Sequence, residues 1–138
     1  MDFDLTERQS FFRDKVRLFI DTNIRPRVAE YKQQIDSGDR WQPIQLIEDL
    51  KPIAHQAGLW NLFMPPGGAL QHVDESFAFE GEQLTNLEYA ICAEEMGRIL
   101  WSAEAFNCSA PDTGNMEVFA RHGTEEQRQR WLAPLFRG

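Results

Sequence analysis

The stretch GTEEQRQRWLAPLFRG, residues 123–138, spells out both the start and the apolar face of a helix. Thr124 suits the N-cap and Gln127 stands at N3 of the capping box, while Glu125 and Glu126 occupy the positive end of the helix dipole. Gly123 is expected to take the left-handed conformation that closes a preceding helix, whose Met116, Phe119 and Ala120 recur at helical spacing. Two helices therefore meet at a corner here. Trp131, Leu132, Leu135 and Phe136 give the last helix an apolar stripe that must face something. Only Arg137 and Gly138 follow, so the chain reads as one domain cut from a longer protein.

The same signals recur towards the N-terminus. Thr6 and Gln9 make another capping box ahead of Phe12, Val16, Phe19 and Ile20. Pro26 is expected to interrupt or kink that helix, leaving a second segment to about Ile35 and a turn at Ser37, Gly38 and Asp39. Pro43 fits the first position of a third helix with Ile44, Leu46, Ile47 and Leu50; Pro52 reads as a second interruption and Gly58 as the stop. Residues 65–81 carry no period and form one long loop, either mobile or functional, in which Phe77 and Phe79 are expected to dock on something. Thr85 and Glu88 supply a further capping box, before Leu87, Ala90, Ile91, Ala93 and Gly97, whose small residues permit close packing. Ile99 and Leu100 lie towards the end of that helix, residues 102–107 extend it, and Pro111 with Gly114 enforce a turn. No alternating strand or internal repeat interrupts the pattern. The fold class is all-α: an up-and-down helical bundle with one long loop.

The chain of 138 residues has 22 acidic and 14 basic side chains, a net charge of -8 that disfavours nucleic acid and anionic lipid. It has no long uncharged apolar run, so no membrane span is expected. Cys92 and Cys108 lack zinc or redox spacing, and the N-terminus lacks a targeting pattern; both favour a cytoplasmic protein.

These pieces together resemble the N-terminal helical domain of acyl-CoA dehydrogenases. The resemblance rests on LTERQSFFRDKVRLFI from Leu5, AGLWNLFMPP from Ala57, the Glu94 and Glu95 pair in AICAEEMGRI, and the terminal Gly-Thr-Glu-Glu-Gln corner. AFNCSAPDTGNMEVF from Ala105 looks most like the branch of long multi-domain animal members. The likeness covers residues 1–138 but only the first of the family's three domains, without the middle β-domain and C-terminal helical domain. It implies a parent that oxidises acyl-CoA thioesters, a carboxylate base taking a proton from Cα while a hydride passes from Cβ to FAD. Base and flavin belong to the other two domains, so no catalytic residue and no cofactor are expected on this chain. The resemblance places residues 103–110 in a wall of the acyl pocket, with Asn107, Cys108 and Ser109 near its deep end as substrate-binding residues. A second reading makes the same residues a mere helix-to-helix corner.

Other chemistry has bland explanations. Adjacent positions on a helix point about 100 degrees apart, so Glu94 and Glu95 do not converge; one is expected in solvent and the other against an arginine. His55, His72 and His122 lack the Glu-x-x-His spacing of a di-iron bundle, so no metal is expected. Gly67 and Gly68 neither follow a strand nor open a helix, which argues against a phosphate cradle. Cys92 fits a small buried side chain. Two partner readings remain: a free-standing adaptor using an aromatic face of Trp60, Phe63, Phe77, Phe79 and Trp131, and a weak homodimer burying Trp131 and Phe136.

Overall fold

The computed structural model describes residues 4–65 and 81–138, which are helical with no strand among them. The helices are α1 (Glu7–Phe19), α2 (Val28–Ser37), α3 (Gln45–Gln56), α4 (Asn86–Gly97), the short α5 (Ser102–Ala105), α6 (Asp112–His122), α7 (Glu125–Gln127) and α8 (Ala133–Arg137). Most of the expected long loop, with Gly67, Gly68, His72, Phe77 and Phe79, lies outside the described residues.

All three capping boxes form. Thr6, Thr85 and Thr124 each accept a bond from the N3 amide, and Gln9, Glu88 and Gln127 reach back to the cap amide. Phe12, Val16, Phe19 and Ile20 then turn inward, 0 to 6% exposed, against Leu46, Leu50, Ala54, Met96 and Phe106. Each such side chain contributes about 1.5–3 kcal/mol by leaving water, so this single cluster holds the fold together.

Pro26 acts as expected, whereas Pro52 and Pro43 do not. Pro26 does break α1, through a five-residue π segment (Ile20–Ile24) and a 3-10 turn (Arg25–Arg27). The same device returns at the other end, where the π segment Arg128–Leu132 joins α7 to α8 just before Pro134. In both, the residue ahead of the proline bonds five positions back: Arg25 to the Ile20 carbonyl, Ala133 to the Arg128 carbonyl. A proline ring clashes with the carbonyl four residues back, and a widened turn relieves that clash without ending the helix. Pro52 does not interrupt α3, because it lies on the exposed side while Leu46, Ile47, Leu50 and Ala54 anchor the buried one. Pro43 stands outside the helix, which is capped from a distance by Gln34 Oε1 accepting from the Leu46 amide at 3.0 Å.

Gly58 ends α3 as expected. At φ 66° it closes a Schellman motif, its amide bonding His55 O and the Leu59 amide bonding Ala54 O, each at 2.9 Å. Gly123 is not left-handed: φ is -71° and ψ 144°. Its lack of a Cβ matters for another reason, since a Cβ there would stand 2.6 Å from Phe119 O. Gly114 lies inside α6 and makes no turn.

α4 buries a different face from the one its small residues suggested. Cys92, Glu95 and Met96 point inward against α1, whereas Leu87 is 66% exposed and Gly97 has open space where a Cβ would stand. Leu84 at N′ and Tyr89 at N4 both join the core, the arrangement of a hydrophobic staple, and together with Glu95 they set the helix rotation. Ile99 and Leu100 lie beyond its end, and α5 is a separate turn.

Candidate functional site

The site is built where α5 ends. Phe106 is its C-cap and Asn107 follows in the left-handed conformation, φ 54°. The Asn107 amide bonds Glu104 O at 3.1 Å and the Cys108 amide bonds Ala103 O at 2.9 Å. This is a second Schellman motif, with asparagine in glycine's role; Asn tolerates the left-handed region better than other side-chain-bearing residues.

The turn aims the Asn107 side chain inward, where it is 8% exposed. Its Nδ2 donates to Asn61 Oδ1 at 2.7 Å and to Leu135 O at 2.8 Å. Asn61, also left-handed at φ 52°, donates from Nδ2 to Phe136 O at 3.0 Å, and Trp60 Nε1 donates to the same carbonyl at 2.8 Å. The Asn61 amide closes the circuit on Phe106 O at 3.1 Å. Helix C-termini leave their last carbonyls without intrahelical donors. Here two asparagines and a tryptophan from other parts of the chain supply donors for the carbonyls of α8. Asn61 and Trp60 were missed in this role by the sequence reading; the signal was a polar residue inside the otherwise apolar run LWNLFM.

Cys108 and Ser109 stand beside this network. The Cys108 thiol donates to Phe106 O at 3.3 Å and is buried, which pushes its pKa up to about 12 although the Phe63 and Leu62 amides and the Tyr89 hydroxyl favour the thiolate. Burial also holds Tyr89 above the ordinary tyrosine value and takes Cys92 to about 11. Ser109 is half-buried, and its hydroxyl donates to Ala110 O at 3.4 Å. The three residues are therefore adjacent in space, with Asn107 and Cys108 facing inward and Ser109 at the margin. Glu104, one turn ahead, has its pKa raised by burial against the opposing pull of Lys51.

Glu94 and Glu95 part as expected. Glu94 lies in solvent beside Arg98 at 3.3 Å, while Glu95, its side chain 6% exposed, accepts from Arg17 at 2.6 Å and meets Arg98 at 3.2 Å. The Arg17 hydrogen bond holds the Glu95 carboxyl below its ordinary range. His55 packs edge-on against Trp60 at 5.4 Å, and His122 is exposed in the last turn of α6. No group of three metal-ligating side chains assembles among the described residues. No helix among them is long and apolar enough to cross a membrane.

Two clefts flank the terminal helix. One, about 410 Å³, is an apolar groove between α6 and the final helix, lined by Asn115, Phe119, Arg130, Trp131, Pro134 and Leu135. The other, about 510 Å³, lies between α3 and the chain end and includes Lys51, His55, Trp60 and Arg137. Two residues of the expected aromatic adaptor face are covered, Trp60 and Phe63 being 4 and 5% exposed, while Phe77 and Phe79 lie outside the described residues. Phe136, at 4%, is likewise already covered, so only Trp131 of the expected dimer pair is open, at 42%.

Comparison with known proteins agrees with this architecture. The family profile for the acyl-CoA dehydrogenase N-terminal domain matches residues 6–138. Acyl-CoA dehydrogenase family member 10 of Mus musculus is 50% identical over 120 residues, covering 87% of this chain and 11% of that protein. Acyl-CoA dehydrogenase family member 11 of Homo sapiens is 41% identical over 128 residues, covering 90% and 15%. A solved Mycobacterium abscessus protein assigned to the acyl-CoA dehydrogenases superposes with a TM-score of 0.76 at 37% identity, over 97% of this chain and 32% of that one. The chain thus spans less than a third of each of these relatives. A helical fold with three capped helix starts, the buried half of the Glu94–Glu95 pair and a match running to the last residue lead to one assignment: this chain belongs to the acyl-CoA dehydrogenase family, as its N-terminal domain.

Proposed function

We propose that the chain forms one wall of the acyl-chain pocket in a flavin-dependent, cytoplasmic acyl-CoA dehydrogenase, and that it is not catalytic alone. The supporting observation is the way residues 103–110 are held. Asn107 and Cys108 pin the segment to residues 60–64 and to α8, and Ser109 is left half-buried at the margin. A fixed wall with one polar group at its edge suits an extended hydrocarbon chain, since apolar pockets between helices need few polar groups to orient a ligand. On this reading Asn107, Cys108 and Ser109 stand near the deep end of the pocket.

FAD, which would accept the hydride, is assigned to the parts of the parent protein outside this chain. In support, Arg8, Arg13, Arg17, Arg25, Arg27, Lys51, Arg98 and Arg121 are each within ion-pair distance of a carboxylate, an arrangement ill suited to cradling the phosphates of FAD or coenzyme A. The general base is assigned to the same missing parts. Glu95 is a poor candidate, because two arginines hold it ionised and buried. The isolated chain is expected to form at most weak dimers, through Trp131.

The test is direct. The purified chain, supplied with FAD, octanoyl-CoA and an artificial electron acceptor, is expected to remain colourless after desalting and to give no acceptor reduction above the protein-free rate. Retained flavin with sustained turnover would overturn the division of labour.

A further inference from the structure

Resting on the wall reading above, we propose that Asn61 and Asn107 form a joint that fixes the pocket wall to the terminal helix, Asn107 being a positioning residue that does not contact substrate. The geometry carries this. Both Asn107 amide hydrogens are committed, one to Asn61 Oδ1 and one to Leu135 O, so the donor side of the group has nothing left to offer a ligand. Asn61 relays the contact to Phe136 O, one carbonyl further along the same helix end. Two adjacent carbonyls of α8 are thus read by two asparagines that hydrogen-bond each other, and a shift of either element must break the circuit. Both asparagines hold left-handed backbone, at φ 52° and 54°. A buried network of this kind favours one arrangement because a partial break strips Phe136 O or Leu135 O of one of its two donors, leaving the first with Trp60 Nε1 and the second with the Gly138 amide.

The donor pattern supplies the test. Protonated aspartic acid offers one donor and one acceptor, enough to remake the two bonds of the joint, to Phe136 O and from Asn107 Nδ2. Asp also tolerates left-handed backbone, so the substitution leaves that strain unchanged. Asn61→Asp is therefore expected to open the joint when ionised and to close it again when protonated. Asn107→Asp needs two donors, has at most one, and stays open in both states. The measurement is amide hydrogen exchange of the full 138-residue chain, followed at Gly138, bonded to Pro134 O and Leu135 O, and at Cys108, bonded to Ala103 O.

At pH 7.5 both amides are expected to exchange about tenfold faster in Asn61→Asp than in the unsubstituted chain, the factor set by one net hydrogen bond. At about pH 5, after correction for intrinsic rates, Asn61→Asp recovers to within about threefold while Asn107→Asp does not, since burial raises a carboxyl pKa. A purely structural defect at position 61 has no reason to reverse with acid. Where Asn61→Asp fails to fold at neutral pH, recovery of helical circular dichroism on acidification reads the same event. Effects confined to the neighbours of residue 61 at both pH values, or equal responses of the two variants, would overturn the joint. The wall reading is separated from it by Ser109→Trp in the dehydrogenase that contains this domain. An unchanged preference between octanoyl-CoA and palmitoyl-CoA there, alongside acid-reversible exchange here, would sink the wall and leave the joint standing.

Discussion

Arg17 on α1 and Glu95 on α4 meet at 2.6 Å, and this pair spans the two helices that pack together most extensively. Glu95 is buried while the Arg17 side chain is 46% exposed, so the carboxylate bears most of the desolvation and the guanidinium stays screened by water. Glu95→Gln is expected to cost about 1–2 kcal/mol in urea denaturation, below the full penalty for a broken buried pair because both arginines remain solvated. Glu94→Gln, one residue away in solvent, should stay within about 0.5 kcal/mol.

The same pair predicts a pH dependence. The folded pKa of Glu95 is depressed, chiefly by its hydrogen bond to Arg17. Its stabilisation is therefore fully present above the unfolded value of about 4.3 and is lost as pH falls through the lower folded value. Thermal melts between neutral pH and pH 3 should show a steep acid limb, and Glu95→Gln should flatten it. An unchanged limb would assign the acid sensitivity to other carboxylates.

Two glycines should respond in opposite directions to alanine. Gly58 holds φ 66° at the end of α3, a backbone that side-chain-bearing residues rarely adopt, so Gly58→Ala is expected to destabilise by about 1–2 kcal/mol. Gly97 has helical backbone and nothing within 4 Å of its would-be Cβ, so Gly97→Ala should stabilise by roughly 0.5–1 kcal/mol. Paired melting temperatures check both.

The thiols should be inert while the chain is folded. Burial takes Cys92 to about 11 and Cys108 to about 12, leaving little thiolate at neutral pH and little access to it. Labelling by a soluble disulfide reagent at pH 7.5 should be at least about a hundredfold slower than for a free cysteine and should become fast in urea. Rapid labelling of the folded chain would show that the 60–64 and 103–110 segments separate readily.

How much of this was legible in the residues depended on range. The capping boxes at Thr6, Thr85 and Thr124 were readable because each needs only side chains three positions apart. The division between Glu94 and Glu95 followed from helix geometry alone. The π segments ahead of Pro26 and Pro134 were not readable, because a proline says that a bond is lost but not whether the backbone ends the helix or widens it. α4 misled for a related reason: its rotation is set partly by Leu84 and the distant Arg17, which lie outside it, and by Tyr89, whose spacing to Cys92 and Met96 marks the buried face. Asn61 showed only as a polar residue in an apolar run, because its partner is a carbonyl 75 positions away.

If residues 103–110 border an acyl chain, as proposed, the chain-length profile of the full-length parent depends on what fills that margin. Filling the margin with Ser109→Phe should move its preference among saturated acyl-CoAs towards shorter chains by two or more carbons, with kcat on the shortest good substrate held within about twofold, as for loss of pocket depth without loss of chemistry. An unaltered profile, with wild-type kcat/KM from short to long chains, would contradict the claim and leave this segment a structural corner.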